Sequence, residues 1–214
     1  VEDVDFTLKA KPELIGRKAI AISISDIAAC GGIPKHCVIS IGIPKDMPVE
    51  IIDRISKGMF DIAKAYKINI VGGDISRSEK LVIDVSMLGE VEKKMLVLRS
   101  GAKKGDIIYV SGELGGSICG KHLSFTPRVK ESRLLVNKFK INSMIDISDG
   151  LTQDLMHILR MSKKGAVIYE DLIPVSLDAC DMQDALSGGE DFELLFTASK
   201  PQARKIMKLK MNNF

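Results

Sequence analysis

Four short segments of the sequence place acidic residues directly after serine or glycine. The segments are residues 22–26, 70–74, 144–150 and 186–191, and the acids in question are Asp26, Asp74, Asp149 and Glu190. The last two segments each carry one more acid, Asp146 and Asp191. The aliphatic residues of these segments are typical of strands, and the small residues behind them let the backbone turn and a ligand approach closely. Carboxylates at the ends of several strands suit a hard cation such as Mg²⁺, which is usually held by one or two carboxylates together with substrate phosphates. The sequence therefore predicts a site for a metal-bound phosphate.

Three of the segments also have an ordinary structural interpretation. Ser25 and Asp26 are good N-cap residues for the apolar stretch at residues 27–29. The two glycines before Asp74 fit a plain turn as well as a close approach to a phosphate. Glu190 precedes a run that reads as a buried strand, and it fits a solvated strand edge equally well. The four segments together favour a functional site more than any one of them alone.

The segment at residues 144–150 carries the sharpest functional signal. Asp146, Ser148 and Asp149 bring two carboxylates and a hydroxyl close together in the chain. In a strand, Asp146 and Ser148 share one face, while Asp149 leaves at the turn. Charges that enter an apolar strand are costly unless they are paired or bound to a metal, so this spacing favours function.

A nucleotide would bind here without a P-loop. The sequence contains neither the Walker A pattern nor G-x-G-x-x-G, and the glycine-rich residues 112–120 lack the Lys-Ser/Thr pair. Nucleotide binding would therefore depend on carboxylate-held Mg²⁺ and glycine backbone. Arg77 or Arg99 would supply positive charge for a phosphate.

Alternating strands and helices must position these acids. The pattern predicts strands at residues 1–6, 18–25, 37–43, 68–71, 81–91, 106–110, 144–147 and 194–196, and helices at 48–66, 132–139 and 151–161. A further short helix is expected directly after Asp26. In each half a strand ends in Ser-Asp, a helix follows, and a Gly-Gly-acid segment comes later, so an internal duplication is expected. The alternation indicates an α/β or α+β layer structure.

Composition excludes several classes of protein. The 214 residues are 45% hydrophobic and 28% charged, and 31 basic and 28 acidic residues are mixed along the chain to a net charge of +3, which fits neither a nucleic-acid stripe nor a polybasic membrane segment. Residues 205–210 concentrate positive charge, as a solvated helix face does. Without an apolar run of about 18 residues or a signal peptide, we expect no membrane span. The three histidines are scattered and the four cysteines form no C-x-x-C pair, which argues against a zinc site. Dispersed cysteines in a chain of this size favour a reducing cytoplasm.

A polar, basic stretch at residues 93–105 predicts a domain junction near Lys104. We therefore expect one domain at residues 1–103 and a second at residues 104–214. The chain opens with Val1 and stops at Phe214, just after an amphipathic run that begins near Lys200. We accordingly expect a fragment, with the first domain cut at its start and the second at its end.

Four ordered motifs resemble those of the thiamine-monophosphate kinases, which share a superfamily with aminoimidazole ribonucleotide synthetase, selenophosphate synthetase and a hydrogenase-maturation protein. The matching stretches are SDIAACGG at residues 25–32, VGGD at 71–74, MIDISDGL at 144–151 and SGGEDFELLF at 187–196. The resemblance covers nearly the whole chain. It implies a two-domain aminoimidazole ribonucleotide synthetase-like α/β (α+β) fold, with a mixed sheet in each domain flanked by helices. It also implies a homodimer through the first domain's sheet, and ATP with several Mg²⁺ ions in the cleft.

The resemblance further implies transfer of the γ-phosphoryl group of ATP to thiamine phosphate, giving thiamine diphosphate. Carried over residue by residue, the implied Mg²⁺ ligands are Asp26, Asp74, Asp146 and Asp149, the nucleotide contacts are Gly73, Asp74, Arg99 and Ser148, and the substrate contacts are Asp5 and Glu190. No catalytic residue is implied beyond these, because phosphoryl transfer depends mainly on alignment and charge neutralisation.

The chain departs from the family at its start. A Gly-Asp-Asp segment that adds metal ligands in the family would precede Val1, and Asp3 and Asp5 stand where the family has glycine and a substrate-contacting histidine. An aromatic residue near the thiamine ring would follow the end of this sequence. Two alternatives therefore accompany the kinase hypothesis: another ATP-using enzyme of the same superfamily, and a non-catalytic nucleotide-binding relative.

Overall fold

A computed structural model describes residues 1–208 and divides them into two units. The first unit comprises Val1–Ile24 and Ile33–Glu90, and the second comprises Ser25–Gly32 and the residues from Val91 onward. The predicted domain boundary between residues 103 and 104 stays a prediction.

The first unit is a small mixed sheet with two helices. Its elements are helix α1 (Pro12–Ala29, of which the residues to Ile24 belong to this unit), strand β1 (Ile33–Ile43), helix α2 (Val49–Ala65), strand β2 (Asn69–Arg77) and strand β3 (Val82–Glu90). The strand order is β2-β1-β3, with β1 parallel to β2 and antiparallel to β3. The predicted helix at residues 48–66 and the strands at 37–43 and 81–91 are confirmed.

Side-chain periodicity explains how this unit buries its core. In β1, Cys37, Ile39 and Ile41 are buried while the residues between them are more exposed, as the period of two requires. Helix α2 buries Ile55, Gly58, Met59, Ile62 and Ala63, which recur at helical spacing. Helices α1 and α2 approach so closely at Gly58 that an added Cβ would lie 1.9 Å from the Glu13 carbonyl oxygen. Only glycine fits at that contact.

Residues 18–25 form part of a helix, so the prediction of a strand there is wrong. The alternating Ile-Ser-Ile-Ser sequence fits the period of a strand, but Ile20, Ile24 and Ala28 are fully buried at spacings of four, while Ile22 is exposed. That spacing is the buried stripe of a helix. The predicted N-cap position of Asp26 is also wrong, because Asp26 lies in the last turn of α1.

The second unit is a three-stranded sheet with helices around it. Its elements are strand β4 (Ile107–Val110), helices α3 (Lys121–Ser124) and α4 (Val129–Lys138), strand β5 (Ile141–Asp146), helices α5 (Leu151–Ser162) and α6 (Met182–Ser187), strand β6 (Leu194–Ala198) and helix α7 (Lys200–Met207). The strand order is β4-β6-β5, and both described pairings are antiparallel. The predicted helices at residues 132–139 and 151–161 and the strands at 106–110, 144–147 and 194–196 are confirmed.

The central strand β6 is buried along its whole length. Its alternate residues belong to two different hydrophobic clusters. Leu195 packs in one cluster with Ile145, while Leu194 and Phe196 pack in another with Met144. Because neighbouring strand residues face opposite ways, both faces of this sheet are covered. The end of β5 is therefore held firmly by packing on both sides.

Four further predictions need correction or extend beyond the described residues. Residues 1–6 form turns and a single Glu2–Phe6 bridge instead of a strand. Residues 72–74 lie inside β2, not past its end, and the strand–Ser-Asp–helix repeat holds only for the second unit. The predicted helix face at residues 205–210 extends beyond the described residues.

Within residues 1–208, none of the helices has the length and hydropathy that crossing a bilayer requires.

Candidate functional site

The second unit places the charges of Asp26 and Asp146 close enough to influence each other. Loss of solvation and the neighbouring charge of Asp146 raise the pKa of Asp26 to about 6, while the charge of Arg99 opposes that rise. The last turn of a helix, where Asp26 lies, presents unpaired carbonyl groups and the negative end of the helix dipole. This position disfavours an anion and favours a cation beside it.

Asp146 is a buried carboxylate at the carboxyl end of β5, with only 5% of its surface exposed. Ser25 Oγ donates a hydrogen bond to its Oδ2 atom at 2.7 Å. Burial raises the pKa of Asp146, and the Ser25 hydroxyl and Arg99 act against that rise. Since a buried carboxylate needs a counter-charge, Asp146 and Asp26 together fit a divalent cation with oxygen ligands.

The charge of Arg99 acts on both acids, and its segment is hydrogen bonded to the elements that carry them. The Val97 amide donates to the carbonyl of Cys30, the residue just after α1, at 3.2 Å. The amide of Met144, which lies in β5, donates to the Leu98 carbonyl at 3.1 Å. The exposed Arg99 side chain thus adds positive charge beside a pair of acids, which suits a phosphate held by a bound cation.

The turn between β5 and α5 is fixed by Asp154, a residue that the sequence interpretation missed. Asp154 is 2% exposed, and its Oδ2 atom accepts the Ser148 amide at 3.0 Å and the Asp149 amide at 2.9 Å. Its position on the apolar stripe of α5, with Leu151 and Leu155, is the signal that could have identified it. A charge on a buried helix face needs partners, and here they are the two amides.

Asp149 lies on the exposed side of this turn. Gln153 Nε2 donates to its Oδ2 atom at 2.9 Å. Asp149, Asp154 and His157 each offer one ligand atom, and these atoms lie within 4.8 Å of one another. Oxygen and imidazole ligands at such spacing could hold a metal ion.

Glu190 is tied to the same turn through its backbone. Its amide donates to the Ser148 carbonyl at 2.7 Å, and the Phe192 amide donates to the Ile147 carbonyl at 2.8 Å. Gly189, Glu190 and Phe192 all have positive φ angles, of 70°, 55° and 51°. The second unit therefore brings six predicted site residues to the end of β5 or its surroundings: Asp26, Arg99, Asp146, Ser148, Asp149 and Glu190.

The first unit holds the other predicted residues, which are Asp5, Gly73 and Asp74. Asp74 is exposed in β2, and Ser76 Oγ donates to its Oδ2 atom at 3.0 Å. An added Cβ at Gly73 would lie 1.9 Å from the Ile39 carbonyl oxygen, so glycine is needed there for the close β1–β2 pairing. Asp5 is exposed, and its carbonyl accepts a hydrogen bond from Lys18 Nζ at 2.6 Å.

Comparison with protein families accounts for almost the whole chain. Residues 1–91 match the family described as AIR synthase related protein, N-terminal domain, and residues 100–209 match AIR synthase related protein, C-terminal domain. The chain thus has the two-domain α/β fold of the AIR synthase-like proteins.

Individual proteins similar to this chain are more narrowly described than the family models. The thiamine-monophosphate kinase of Bacillus subtilis (strain 168) is 38% identical over 231 residues, covering 94% of this chain and 71% of the relative. A solved structure described as AaThiL complexed with AMPPCP and TMP is 34% identical with a TM-score of 0.88, over 94% of this chain and 73% of that one. The thiamine monophosphate kinase structure from Aquifex aeolicus is 34% identical with a TM-score of 0.85, over 94% and 76% of the two chains.

Proposed function

Because this chain belongs to the thiamine-monophosphate kinase family, we propose that it transfers the γ-phosphoryl group of ATP to the phosphate of thiamine phosphate, giving thiamine diphosphate. The observation that carries the proposal within the fold is the hydrogen bond from Ser25 to the buried Asp146 carboxylate, which ties Asp146 to the residue directly before Asp26. The charge of Arg99 acts on both acids. Two acids and a guanidinium at one place suit a metal-bound polyphosphate.

We assign metal binding to the acids of both units. Asp26, Asp146 and Asp149 in the second unit and Asp74 in the first are the proposed Mg²⁺ ligands. When bound, Mg²⁺ would neutralise charge on the phosphates of ATP during transfer. Ser25 orients Asp146 through its hydrogen bond, and Asp154 orients Asp149 by holding its amide.

The remaining assignments concern nucleotide and acceptor. Arg99 and Ser148 in the second unit and Gly73 in the first are proposed to contact the nucleotide together with Asp74. Glu190 and Asp5 are proposed to contact thiamine phosphate. A carboxylate repels a phosphate, so contact of Asp5 with thiamine phosphate would require a cation to neutralise the charge.

We also propose that the chain forms a homodimer through the sheet of the first unit, within the predicted domain at residues 1–103. One face of that sheet presents exposed Val38 and Leu88, on the side away from the buried Cys37, Ile39 and Ile41. Exposed apolar side chains on a sheet face are typical of an interaction surface.

The direct test is an assay of the chain with Mg²⁺, ATP and thiamine phosphate, in which ADP and thiamine diphosphate are measured. We expect both products in equal amounts and none with a chelator. Binding of Mg·ATP without turnover of thiamine phosphate would favour another ATP-using enzyme of the superfamily, and absence of Mg·ATP binding would contradict both enzyme hypotheses.

A variant of Asp74 tests its assignment. Asp74→Asn removes a charged ligand and should therefore weaken Mg·ATP binding. Calorimetry should show a loss of about tenfold or more in affinity, which is about 1.4 kcal/mol or more in binding free energy. Asp61→Asn, which changes an exposed acid of α2, is the control and should leave the affinity unchanged. Unchanged nucleotide affinity in Asp74→Asn would refute the role.

A further inference from the structure

The segment that carries Glu190 is held in a conformation that its residues rarely adopt. Gly189, Glu190 and Phe192 have φ angles of 70°, 55° and 51°, and the left-handed region is unfavourable for a bulky residue such as phenylalanine. Such strain persists only where the surrounding structure imposes it, and it is concentrated at active sites and ligand clamps. The contacts that hold residues 189–192 in this backbone conformation therefore also determine where Glu190 lies.

Asp191 anchors this segment to the glycine-rich loop. It is 1% exposed, and its Oδ1 atom accepts the Gly115 amide at 3.0 Å and the Ser117 hydroxyl at 2.5 Å. The next residue, Phe192, stacks on Phe125 with ring centroids 4.1 Å apart. These contacts oppose relaxation of the left-handed backbone on either side of Asp191.

Glu193 extends the same anchor. Arg128 Nε and Nη2 donate hydrogen bonds to its two carboxylate oxygens at 2.7 and 2.8 Å, which forms a bidentate ion pair. Lys121 Nζ lies 3.1 Å from the same carboxylate. The Ser111 hydroxyl donates to it at 2.6 Å. Residues 191–193 are thus each bound to residues 111–128, while the Glu190 and Phe192 amides bind the turn after β5. Glu190 stands where these two attachments meet.

The second oxygen of Asp191 shows that packing stability alone does not account for a carboxylate at this position. Oδ2 is buried without a hydrogen-bond donor from any residue the structure describes, and Lys121 Nζ lies 4.0 Å from the other oxygen. A buried polar atom left without a donor is unfavourable. A carboxylate nevertheless forms shorter and stronger hydrogen bonds than a neutral acceptor, so its advantage is a more rigid attachment.

We propose that Asp191 is a positioning residue for the acceptor site: by fixing residues 189–192 on the glycine-rich loop, it holds Glu190 in the orientation that binds thiamine phosphate. This inference rests on the proposed function, which assigns Glu190 to the acceptor substrate. A group held in place before binding contributes affinity that a mobile group loses to ordering.

The test compares Asp191→Ala and Asp191→Asn with the wild-type chain. Calorimetry gives Kd separately for thiamine phosphate and for Mg·ATP, and steady-state assays give KM and kcat. We expect Asp191→Ala to raise the Kd and KM for thiamine phosphate roughly tenfold or more, with Mg·ATP affinity unchanged. Asp191→Asn, which keeps a weaker, neutral acceptor for Gly115 and Ser117, should recover part of that loss.

Two further variants keep the test decisive. Ser117→Ala removes the shortest hydrogen bond of the anchor and should shift thiamine phosphate affinity in the same direction, which matters if Asp191→Ala does not fold. Asp106→Ala is the matched control, because Asp106 likewise accepts one backbone amide, from Lys103, and one side-chain donor, from Asn142. It should leave thiamine phosphate affinity unchanged.

The outcomes separate this inference from the proposed function. If the wild-type chain binds thiamine phosphate and folded variants of Asp191 and Ser117 bind it equally well, the inference is overturned and the function stands, even if the variants are less stable. If the wild-type chain neither binds nor phosphorylates thiamine phosphate, both are overturned. A selective loss of thiamine phosphate affinity in Asp191→Ala, smaller in Asp191→Asn, supports the positioning role.

Discussion

At the scale of the residue, Asp146 depends on one hydroxyl. Its buried Oδ2 atom accepts a 2.7 Å hydrogen bond from Ser25. Removing one partner of a buried pair leaves the other with an uncompensated desolvation penalty, which is larger than the net contribution of the bond itself. Ser25 therefore contributes to stability as well as to the orientation of the proposed metal ligand.

Ser25→Ala should lower the free energy of unfolding by roughly 1–3 kcal/mol, because Asp146 loses this donor in a buried setting. Urea unfolding measured without metal checks this. Ser23→Ala is a matched control two residues earlier in α1, where the hydroxyl makes only a 3.3 Å bond to the Val85 carbonyl. Equal effects of the two changes would contradict the special role of Ser25.

Some site residues could be predicted from the sequence for a clear physical reason. Asp146 and Asp149 interrupt an apolar run, and a charge there needs a partner or a ligand. Asp154 carries the same signal on a helix stripe, but a single acid at helical spacing is easily taken for part of the solvated face. The pairing of Ser25 with Asp146 joins residues 121 positions apart and has no local signal at all.

At the scale of the element, α1 and α2 are linked by an exposed ion pair as well as by close packing. Arg54 Nε and Nη2 donate to the two Glu13 carboxylate oxygens at 2.9 and 3.0 Å. This hydrogen bonding from Arg54, with help from the Glu13 backbone, lowers the pKa of Glu13 from 4.5 to about 2. A lowered pKa stabilises the fold above the unfolded value and loses that effect as the pH falls.

The stability that Glu13 contributes should therefore be complete above pH 4.5 and should disappear as the pH falls towards 2. Arg54→Gln should flatten this part of the pH dependence, and the effect should be small because the pair is exposed. Thermal unfolding between pH 5 and pH 2 tests the expectation, with Glu50→Gln in the same helix as the control. An unchanged pH profile in Arg54→Gln would contradict it.

Two adjacent glycines in β2 offer a matched comparison. An added Cβ at Gly73 would overlap the Ile39 carbonyl oxygen at 1.9 Å, whereas at Gly72 it would meet nothing within 4 Å. Gly73→Ala should destabilise the protein by about 3 kcal/mol through forced backbone movement, and Gly72→Ala should change stability by less than about 0.5 kcal/mol. Urea unfolding of both variants without nucleotide separates this steric role of Gly73 from any part in nucleotide binding.

The element types show where sequence periodicity succeeds and where it fails. Helix α2 was predictable because its apolar residues recur over several turns. Residues 22–25 resemble a strand because four residues of Ile-Ser alternation fit the period of two, and only burial over the longer span from Ile20 to Ala28 reveals the helix. Short windows do not distinguish the two periods.

At the scale of the whole molecule, the exposed face of the first unit's sheet predicts self-association. Leu88 is 71% exposed on that face. If the face forms the dimer, Leu88→Lys should shift the mass measured by light scattering from two chains to one, because it buries a charge in the interface. Leu172→Lys, at a leucine that is 75% exposed in the second unit, is the control and should remain dimeric. A wild-type mass of one chain would contradict the proposal.

Strand β2 has a consequence for handling the protein. It pairs with β1 on one side, no other strand of residues 1–208 pairs with it, and its Val71 and Ile75 side chains are 62% and 67% exposed. An open strand edge with aliphatic side chains is a template on which other chains can add strands, which is the first step towards fibrils. Concentrated solutions of this chain should therefore lose protein to aggregation on warming before the two cores melt, and a lysine at position 75 should delay that loss.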